Sequence, residues 1–171
     1  GEVMAEQDLK TLEIELKDGL VEVSLLPDIA PKHVERIIKL SSEGLYDGVA
    51  FHRVIDGFMA QTGDVQFGNV NNGFNKARAG TGGSMQPNLP AEFSKLPFDR
   101  GALGMARAQD PNSANSQFFI MFDAGHFLNG QYTLFGHVTK GMEFVDKIMR
   151  GDQSDNGSVD NPDIMIKVSA K

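Results

Sequence analysis

The sequence predicts a mainly β protein, in which about eight antiparallel strands close into a barrel accompanied by two helices. Three observations lead to this prediction. Apolar and polar residues alternate with the period of a strand, turn-forming Gly, Asn, Asp and Pro residues separate short β-rich runs, and only two stretches have helical periodicity. Closure removes exposed sheet edges. Because side chains fill the interior of a barrel of this size, we expect any binding site on its outer wall or rim.

The first two strands form a predicted hairpin. Leu12, Ile14 and Leu16 alternate with polar residues, and a second run follows at Leu20–Leu25. The pair Asp18-Gly19 lies between them and is typical of a type I′ turn, which needs positive φ at both central residues. We therefore predict a tight hairpin with this pair at its turn.

Two helices and the other strands are predicted in the same way. The first helix starts at Pro31, whose missing N–H costs nothing at a first helical position, and ends near Gly44. The second is predicted around Gly141–Met149, with Gly151 as its C-cap. The remaining strands are predicted at Phe51–Ile55, Phe58–Thr62, Ala102–Arg107, Gln117–Phe122, Thr133–Val138 and Ile164–Ser169.

Composition and charge exclude several classes of protein. The 171 residues contain no cysteine and no tryptophan, and 16 basic against 23 acidic residues give a net charge of −7. The absence of cysteine excludes disulfides, thiolate nucleophiles and cysteine-ligated metal sites. An acidic balance argues against nucleic-acid binding, which favours a basic surface. No apolar run approaches the roughly 20 residues that span a bilayer, so we expect no membrane partner.

The sequence predicts an N-terminal tail at residues 1–10 and one domain at residues 11–171. The segment before Met4 is typical of a cloning remnant, with Met4 as the expected native start. The polar, acidic beginning lacks the apolar stretch of a secretory signal, which favours the cytoplasm. The periplasm stays open as the alternative, because a removed signal leaves no trace. We expect a monomer, since no apolar stripe is left unassigned.

The common catalytic motifs are absent from the sequence. It contains neither a GxSxG nucleophile motif nor HExxH, and its 4 histidines are scattered. The segment Gly80–Gly83 is similar to a phosphate-binding loop but lacks the Lys-Ser/Thr that would follow, so we interpret it as part of a long glycine-rich loop. Asn156-Gly157-Ser158 matches a glycosylation sequon, but a turn is the better interpretation of an Asn-Gly pair.

Two distinctive stretches remain. The first, FHRVIDGFMAQTGD, covers Phe51–Asp64, and the second, ALGMARAQDPNSANSQFFIMF, covers Ala102–Phe122. The residue types alone leave the role of Arg53 open. A solvated strand charge is the more common role of an isolated arginine, because surface ion pairs are frequent and weak. Strand alternation by itself does not show which face each side chain occupies.

Together these stretches resemble the cyclophilin family of peptidyl-prolyl cis–trans isomerases, in particular its bacterial single-domain members. The resemblance extends from about Thr11 to Val168 and includes Gly80–Gly83 and Phe127–Ile148. It implies a closed eight-stranded antiparallel β-barrel capped by two α-helices. It also implies an enzyme that accelerates rotation about X-Pro bonds and assists protein folding. Its partners would be proline-containing peptides and unfolded or folding proteins, with no cofactor and no metal.

The resemblance implies roles for individual residues. Arg53 would donate a hydrogen bond to the prolyl nitrogen as the bond twists, with Gln61 orienting it and Phe58 beside it as the catalytic residues. The implied substrate-binding residues are His52, Met59, Gly80, Ala106, Arg107, Ala108, Gln117, Phe119, Phe127, Leu128 and Tyr132. Of these, residues 106–108 would pair with the substrate backbone before the proline.

Three residues depart from the usual pattern of the family. Phe127 stands where many members have tryptophan, so the indole donor is absent and we expect weak cyclosporin binding. Tyr132 stands where histidine is frequent and keeps an aromatic wall. Arg107 stands where asparagine is frequent, and its charge predicts a preference for acidic residues upstream of the proline. The loop at residues 65–79 is also longer than in the shortest members.

A non-catalytic proline-peptide-binding module, or a holdase chaperone using the same groove, is the alternative function. Binding alone does not require a guanidinium donor, so the combination of Arg53, Gln61 and Phe119 favours the enzyme. A hydrolase would need a nucleophile with a base beside it, and the sequence indicates none.

Overall fold

The computed structural model describes residues 8–171. Its strands are β1 (Thr11–Leu16), β2 (Gly19–Leu25), β3 (Val49–Ala50), β4 (Arg53–Ile55), β5 (Met59–Thr62), β6 (Ala102–Met105), β7 (Phe118–Met121), β8 (Leu134–Lys140), β9 (Ile164–Met165) and β10 (Lys167–Ala170). Its α-helices are α1 (Pro31–Ser42) and α2 (Met142–Val145). Most of the predicted tail, with its expected cloning remnant and Met4, lies outside the described residues.

The predicted closed barrel is not confirmed, because the main sheet is a curled half-barrel. Its 8 strands follow the order β10-β1-β2-β8-β6-β7-β5-β4, so β10 and β4 are edge strands that do not pair with each other in the described chain. The backbone of Val54 on β4 instead exchanges hydrogen bonds with residues 151–157, since its N–H donates to Gly157 O and its carbonyl accepts from Gly151 N. The free edge of β4 is thereby covered. β3 and β9 form a separate short antiparallel pair.

The predicted hairpin between β1 and β2 is confirmed, but its turn type was wrong. Leu16 pairs with Gly19, so Lys17 and Asp18 are the central residues of the turn. Asp18 does not have the positive φ that a type I′ turn needs, since Asn156 is the one non-glycine residue with positive φ between residues 8 and 171. Gly19 serves a different purpose: a Cβ there would lie 2.4 Å from the ring of Phe144. Glycine allows α2 to pack closely against the hairpin.

The first helix is confirmed, with Pro31 as its first residue. The second is shorter than predicted, because α2 ends at Val145 and Gly151 is not its C-cap. One reason is local and the other is tertiary. The guanidinium of Arg150 donates from Nη1 to the carbonyls of Asp146 and Ile148 at 2.6 and 2.8 Å, and the N–H of Gly151 is directed to the edge of β4. These bonds hold the chain after Val145 away from a helical path.

Apolar side chains form separate clusters on the two faces of the sheet. The main core lies on the inner face, and its strand residues include Leu12, Val23, Val54, Ala60, Leu103, Phe118, Ile120 and Phe135. The outer face carries a smaller cluster made of Met59, Phe98, Ala102, Phe119, Met121, Leu128 and Leu134. Neighbouring residues of β5 and β7 fall into opposite clusters, as the period of a strand requires. Between residues 8 and 171, no helix is both long and apolar enough to cross a membrane.

Candidate active site

Arg53, Gln61 and Phe119 form a row across three neighbouring strands. Arg53 on β4 pairs with Gln61 on β5, and Gln61 pairs with Phe119 on β7. Directly paired residues project from the same face of a sheet, so the register brings a cation, an amide and an aromatic ring together. They lie on the outer face, because the alternate residues Val54 and Ala60 belong to the main core. This is the outer-wall position predicted for a binding site.

The Arg53 guanidinium is held by hydrogen bonds on both sides. Nη1 donates to Oε1 of Gln61 at 3.1 Å. On the other side, Nε donates to the carbonyl oxygen of Asn156 at 3.0 Å, and Nη2 donates to Oδ1 of the same residue at 3.1 Å. Of the five N–H groups that a guanidinium carries, one on each Nη has no partner between residues 8 and 171. Partial burial lowers the pKa of Arg53, but an arginine stays protonated at neutral pH.

Gln61 connects Arg53 to the glycine-rich loop. Its Nε2 donates to Oε1 of Gln117 at 3.0 Å, and Nε2 of Gln117 donates to the carbonyl oxygen of Gly82 at 2.9 Å. In this series of hydrogen bonds, the side-chain amides of Gln61 and Gln117 each accept through the oxygen and donate through the nitrogen. The orientation of each amide is therefore determined. This is the geometry that the predicted orienting role of Gln61 requires.

The buried carboxylate of Asp64 holds both ends of the long loop. Its Oδ1 accepts from the backbone N–H groups of Gln66 and Phe67 at 3.0 and 2.9 Å. Its Oδ2 accepts from those of Gly80 and Gly82 at 2.8 and 3.0 Å. The N–H groups that a phosphate would need are therefore already directed to a carboxylate. This contact supports the interpretation of residues 80–83 as part of a loop rather than a phosphate site.

Aromatic rings form the apolar part of the groove. Phe119 stacks on Phe98 with 5.8 Å between ring centroids and meets Tyr132 edge-on at 5.9 Å. Phe58 packs against Phe127 at 5.5 Å, and the Phe127 side chain is 71% exposed at the rim. A prolyl ring has no N–H donor. Apolar walls of this kind can therefore hold it without hydrogen bonds.

All the predicted site residues line two adjoining cavities of about 680 and about 260 Å³. The larger is lined by His52, Arg53, Phe58, Met59, Gln61, Gly80, Ala106, Arg107, Phe119, Phe127, Leu128 and Tyr132. The smaller is lined by Ala108 and Gln117 together with Gln61, Gly80, Ala106 and Arg107 from that set. The structure therefore brings together every predicted residue, while the role of each stays a prediction.

Arg107 lies over the ring of Tyr132, with its Cζ 4.3 Å from the ring centroid. Nε and Nη2 donate to the carbonyl of Gln131 at 3.2 and 2.6 Å, and Nη1 donates to the carbonyls of Ala108 and Gln109 at 3.0 and 3.3 Å. The guanidinium thus connects the segment after β6 to the loop that carries Tyr132. Because most of its N–H groups have these partners, any preference for acidic substrates would come from its charge rather than from direct hydrogen bonds.

His52 lies in the wall of the larger cavity, beneath Gly80. Its Nε2 is 3.1 Å from the place that a Cβ at position 80 would occupy. Both ring nitrogens are inaccessible to solvent, and neither has hydrogen-bond geometry with a described residue. Burial lowers the pKa of His52, and the smaller attraction of the Asp64 carboxylate opposes this shift. No group of three or more His, Asp and Glu side chains in residues 8–171 could hold a metal ion.

One wall of the larger cavity was not predicted from the sequence. It comprises Phe74, Lys76, Ala79, Thr81, Asp155, Asn156, Ser158, Val159 and Pro162. An ion pair between Lys76 and Asp160 connects its two segments, the long loop and the chain after residue 152. The one available sequence signal is the Asn156-Gly157 pair. It predicts a local turn, but the residues that the turn contacts depend on tertiary structure.

An apolar groove beside a fixed guanidinium, on the outer face of a curled antiparallel sheet, defines a site suited to a proline-containing chain.

Comparison with known proteins identifies the family. A family model described as cyclophilin type peptidyl-prolyl cis-trans isomerase/CLD matches residues 11–170. A probable peptidyl-prolyl cis-trans isomerase of Brucella suis is 65% identical over 159 residues, which cover 93% of this chain and 81% of that protein. Peptidyl-prolyl cis-trans isomerase B of Bacillus subtilis is 39% identical over 146 residues, covering 84% of this chain and 94% of the relative.

Solved structures share the fold. Cyclophilin AquaCyp293 from Hirschia baltica superposes with a TM-score of 0.77 at 25% identity, covering 98% of this chain and 75% of that one. A cyclophilin type peptidyl-prolyl cis-trans isomerase of Cryptosporidium parvum gives a TM-score of 0.80 at 27% identity, covering 95% and 98%. This chain therefore belongs to the cyclophilin-type family and is a peptidyl-prolyl cis–trans isomerase. The predicted family and activity are confirmed.

Proposed function

We propose that the groove beside Arg53 is the active site and that it binds the twisted X-Pro bond more tightly than the planar amide. Resonance in the amide produces a rotation barrier of about 18–20 kcal/mol, so the uncatalysed reaction takes tens of seconds or longer. Each ~1.4 kcal/mol of preferential transition-state binding accelerates it about tenfold. No covalent bond breaks, so the reaction needs no nucleophile.

Arg53 is the proposed donor to the transition state. As the bond twists, the prolyl nitrogen leaves the amide conjugation and gains a lone pair that accepts a hydrogen bond. The two N–H groups of Arg53 that have no partner in the described part of the chain are available to that lone pair. Because Gln61 and Asn156 already hold the guanidinium, little reorganisation is needed during the reaction, which is the condition for effective electrostatic stabilisation.

The apolar walls hold the proline ring while the preceding carbonyl turns. Phe119, Met59 and Leu128 are buried on this face of the sheet, and Phe58 and Phe127 form the rim. Residues 106–108 follow the end of β6, where an extended substrate could pair with the backbone as an additional strand. The ring is thus fixed, and the part of the substrate before it is free to rotate.

The geometry of Arg53 is the observation that carries this proposal. A module that only binds proline peptides needs the apolar walls but does not require a cation held by three hydrogen bonds at the groove. The non-catalytic module or holdase is therefore not favoured.

Proline-containing segments of unfolded or folding proteins are the proposed substrates. The Cryptosporidium parvum cyclophilin has also been crystallised in the presence of the dipeptide Ala-Pro, and that structure superposes with a TM-score of 0.79. This supports proline-peptide binding in the groove of the present chain. A monomeric state, a cytoplasmic location and weak cyclosporin binding stay predictions from the sequence.

A proline-isomerisation assay on a short X-Pro peptide tests the proposal. Arg53→Ala should lower kcat/KM by a factor on the order of 10² to 10³, the effect of removing one preorganised donor, while peptide binding measured by NMR titration persists. Arg78→Ala is the matched control, because Arg78 lies over the ring of Phe67 and does not line either cavity. Equal rates for the unmodified protein and Arg53→Ala would contradict the role of Arg53. Peptide binding without acceleration by the unmodified protein would favour the binding module.

A further inference from the structure

A tight turn packs against Arg53 from outside the sheet. Asn156 has φ 53° and ψ 31°, Gly157 has φ 82°, and the N–H of Ser158 donates to the carbonyl of Asp155 at 3.0 Å. Positive φ at both central residues is the type I′ geometry, for which Asn-Gly is the preferred pair. The Asn-Gly pair therefore explains the local conformation. It does not explain why the turn lies where it does.

The position of the turn is set by backbone pairing with β4. The N–H of Val54 donates to the carbonyl of Gly157 at 2.8 Å, and Arg53 and Ser158 form an antiparallel bridge. A Cβ at position 157 would lie 2.7 Å from Cγ1 of Ile55, so glycine allows this close approach as well as the positive φ. The turn thus has a defined register against the strand that carries Arg53.

From this register we infer that Asn156 is a positioning residue for Arg53. Its carbonyl oxygen accepts from Nε at 3.0 Å and its Oδ1 accepts from Nη2 at 3.1 Å. Two acceptors from one residue, placed along one edge of a planar guanidinium, fix the plane as well as the position. Gln61 holds the opposite side through Nη1. The inference rests on the proposed role of Arg53 as the donor.

The charge of the two acceptors matters as much as their geometry. Both are neutral amide oxygens, so they orient the guanidinium without neutralising it. A carboxylate at this place would form a salt bridge that competes with the developing lone pair of the substrate. Asn156 therefore combines a side chain that tolerates the left-handed conformation with an uncharged acceptor for the catalytic arginine.

Asn156→Gly removes the side-chain acceptor alone. Glycine adopts the left-handed conformation freely, so the turn and the carbonyl that accepts from Nε are retained. We expect kcat to fall about tenfold, since small misplacements of a catalytic group cause losses of this order or larger, with KM unchanged. The peptide assay and thermal unfolding are measured on this variant and on Asn161→Gly, an exposed asparagine of the same segment. An unchanged kcat in Asn156→Gly would overturn the inference.

A double-mutant cycle separates positioning from a structural role. If Asn156 acts through Arg53, Asn156→Gly should not lower the residual rate of Arg53→Ala any further. The same loss in both backgrounds would overturn the inference even if the turn itself were destabilised, because the effect would then be independent of Arg53. Full activity of Arg53→Ala alone would instead contradict the proposed function, so the two failures can be distinguished.

Discussion

Phe119 lies over Gly104, its partner across β7 and β6, so closely that a Cβ at position 104 would come within 2.5 Å of Cζ of the ring. The same Cβ would also lie 2.5 Å from Cε1 of Phe98. The stacked pair of rings therefore occupies the space that a side chain at position 104 would need. Glycine at this position determines how deep the floor of the groove lies.

Gly104→Ala should raise KM severalfold, because the new methyl group pushes Phe119 toward the cavity. Overpacking of this kind also costs about 1–3 kcal/mol of stability. Gly136→Ala is the matched control, since a Cβ there would lie 2.9 Å from the carbonyl oxygen of Ser24, outside the groove. It should lower the unfolding midpoint without changing KM. An unchanged KM in Gly104→Ala, measured in the peptide assay, would show that the ring does not move into the site.

Phe127→Trp should tighten cyclosporin binding and leave isomerisation unchanged. The ring at this position is 71% exposed and packs on Phe58, so an indole would keep the packing and present its N–H at the rim. One added hydrogen bond contributes about 0.5–1.5 kcal/mol, which corresponds to up to about tenfold in Kd. Calorimetric titration of both proteins measures the change. Equal affinities would show that the missing indole does not limit cyclosporin binding.

Arg107 should confer a small preference for acidic residues upstream of the proline. Its guanidinium is directed mainly to carbonyl groups, so we expect an effect of partly exposed charge, about 0.2–1 kcal/mol and up to about fivefold in kcat/KM. Peptides with Glu or Gln before the proline measure it. Arg107→Lys should retain the preference and Arg107→Gln should abolish it. The same preference in Arg107→Gln would assign it to another residue.

Asp64→Asn should destabilise the long loop. The amide NH₂ that replaces one carboxylate oxygen cannot accept from backbone N–H groups, so two of the four hydrogen bonds at Asp64 are lost. Hydrogen bonds to charged groups contribute about 1.5–3 kcal/mol each. Hydrogen exchange should accelerate strongly at one of the two pairs of N–H groups, either Gln66 and Phe67 or Gly80 and Gly82, according to which oxygen the NH₂ replaces. Asp110→Asn is the control, because the carboxylate of Asp110 accepts from one exposed N–H, that of Asn112. Unchanged protection at both pairs would contradict the role of Asp64.

The free energy of unfolding should decrease as pH falls below about 6.5, because His33 and His52 are buried. Burial lowers the pKa of each from 6.5, and Glu92, whose Oε1 lies 2.5 Å from Nδ1 of His33, opposes the shift only in part. The unfolded chain therefore binds more protons than the folded protein in this window. The contribution of these two histidines to the free energy of unfolding is fully present above pH 6.5 and decreases on acidification. Denaturant unfolding across this range measures the slope.

Single variants separate the two histidines. His52→Gln should reduce the slope in proportion to the contribution of His52, and the residual slope should reflect His33. A slope that is the same in the unmodified protein and in His52→Gln would assign the pH dependence to His33 alone. Stability that does not change below pH 6.5 would contradict the lowered pKa of both rings.

Local patterns predicted most of the strands and α1, because alternation and helical spacing record which side of an element is buried. The failures have tertiary causes. Gly19 was placed in a turn but lies under Phe144, and the chain after Val145 leaves the helix in part because the N–H of Gly151 donates to Val54 on β4. The open edge of β4 is covered by a distant segment. None of these contacts has a local sequence signal.

The residues that carry the site were identifiable from the sequence, because FHRVIDGFMAQTGD and the stretch ending in SQFFI place Arg53, Gln61 and Phe119 on strands of a recognisable family. The residues that contact these three side chains could not be identified from the sequence. The register that sets Arg53 opposite Gln61, and the turn that brings Asn156 to Arg53 across a separation of 103 residues, result from packing between distant parts of the chain. Local periodicity records how each segment is buried, but it does not record which segments meet.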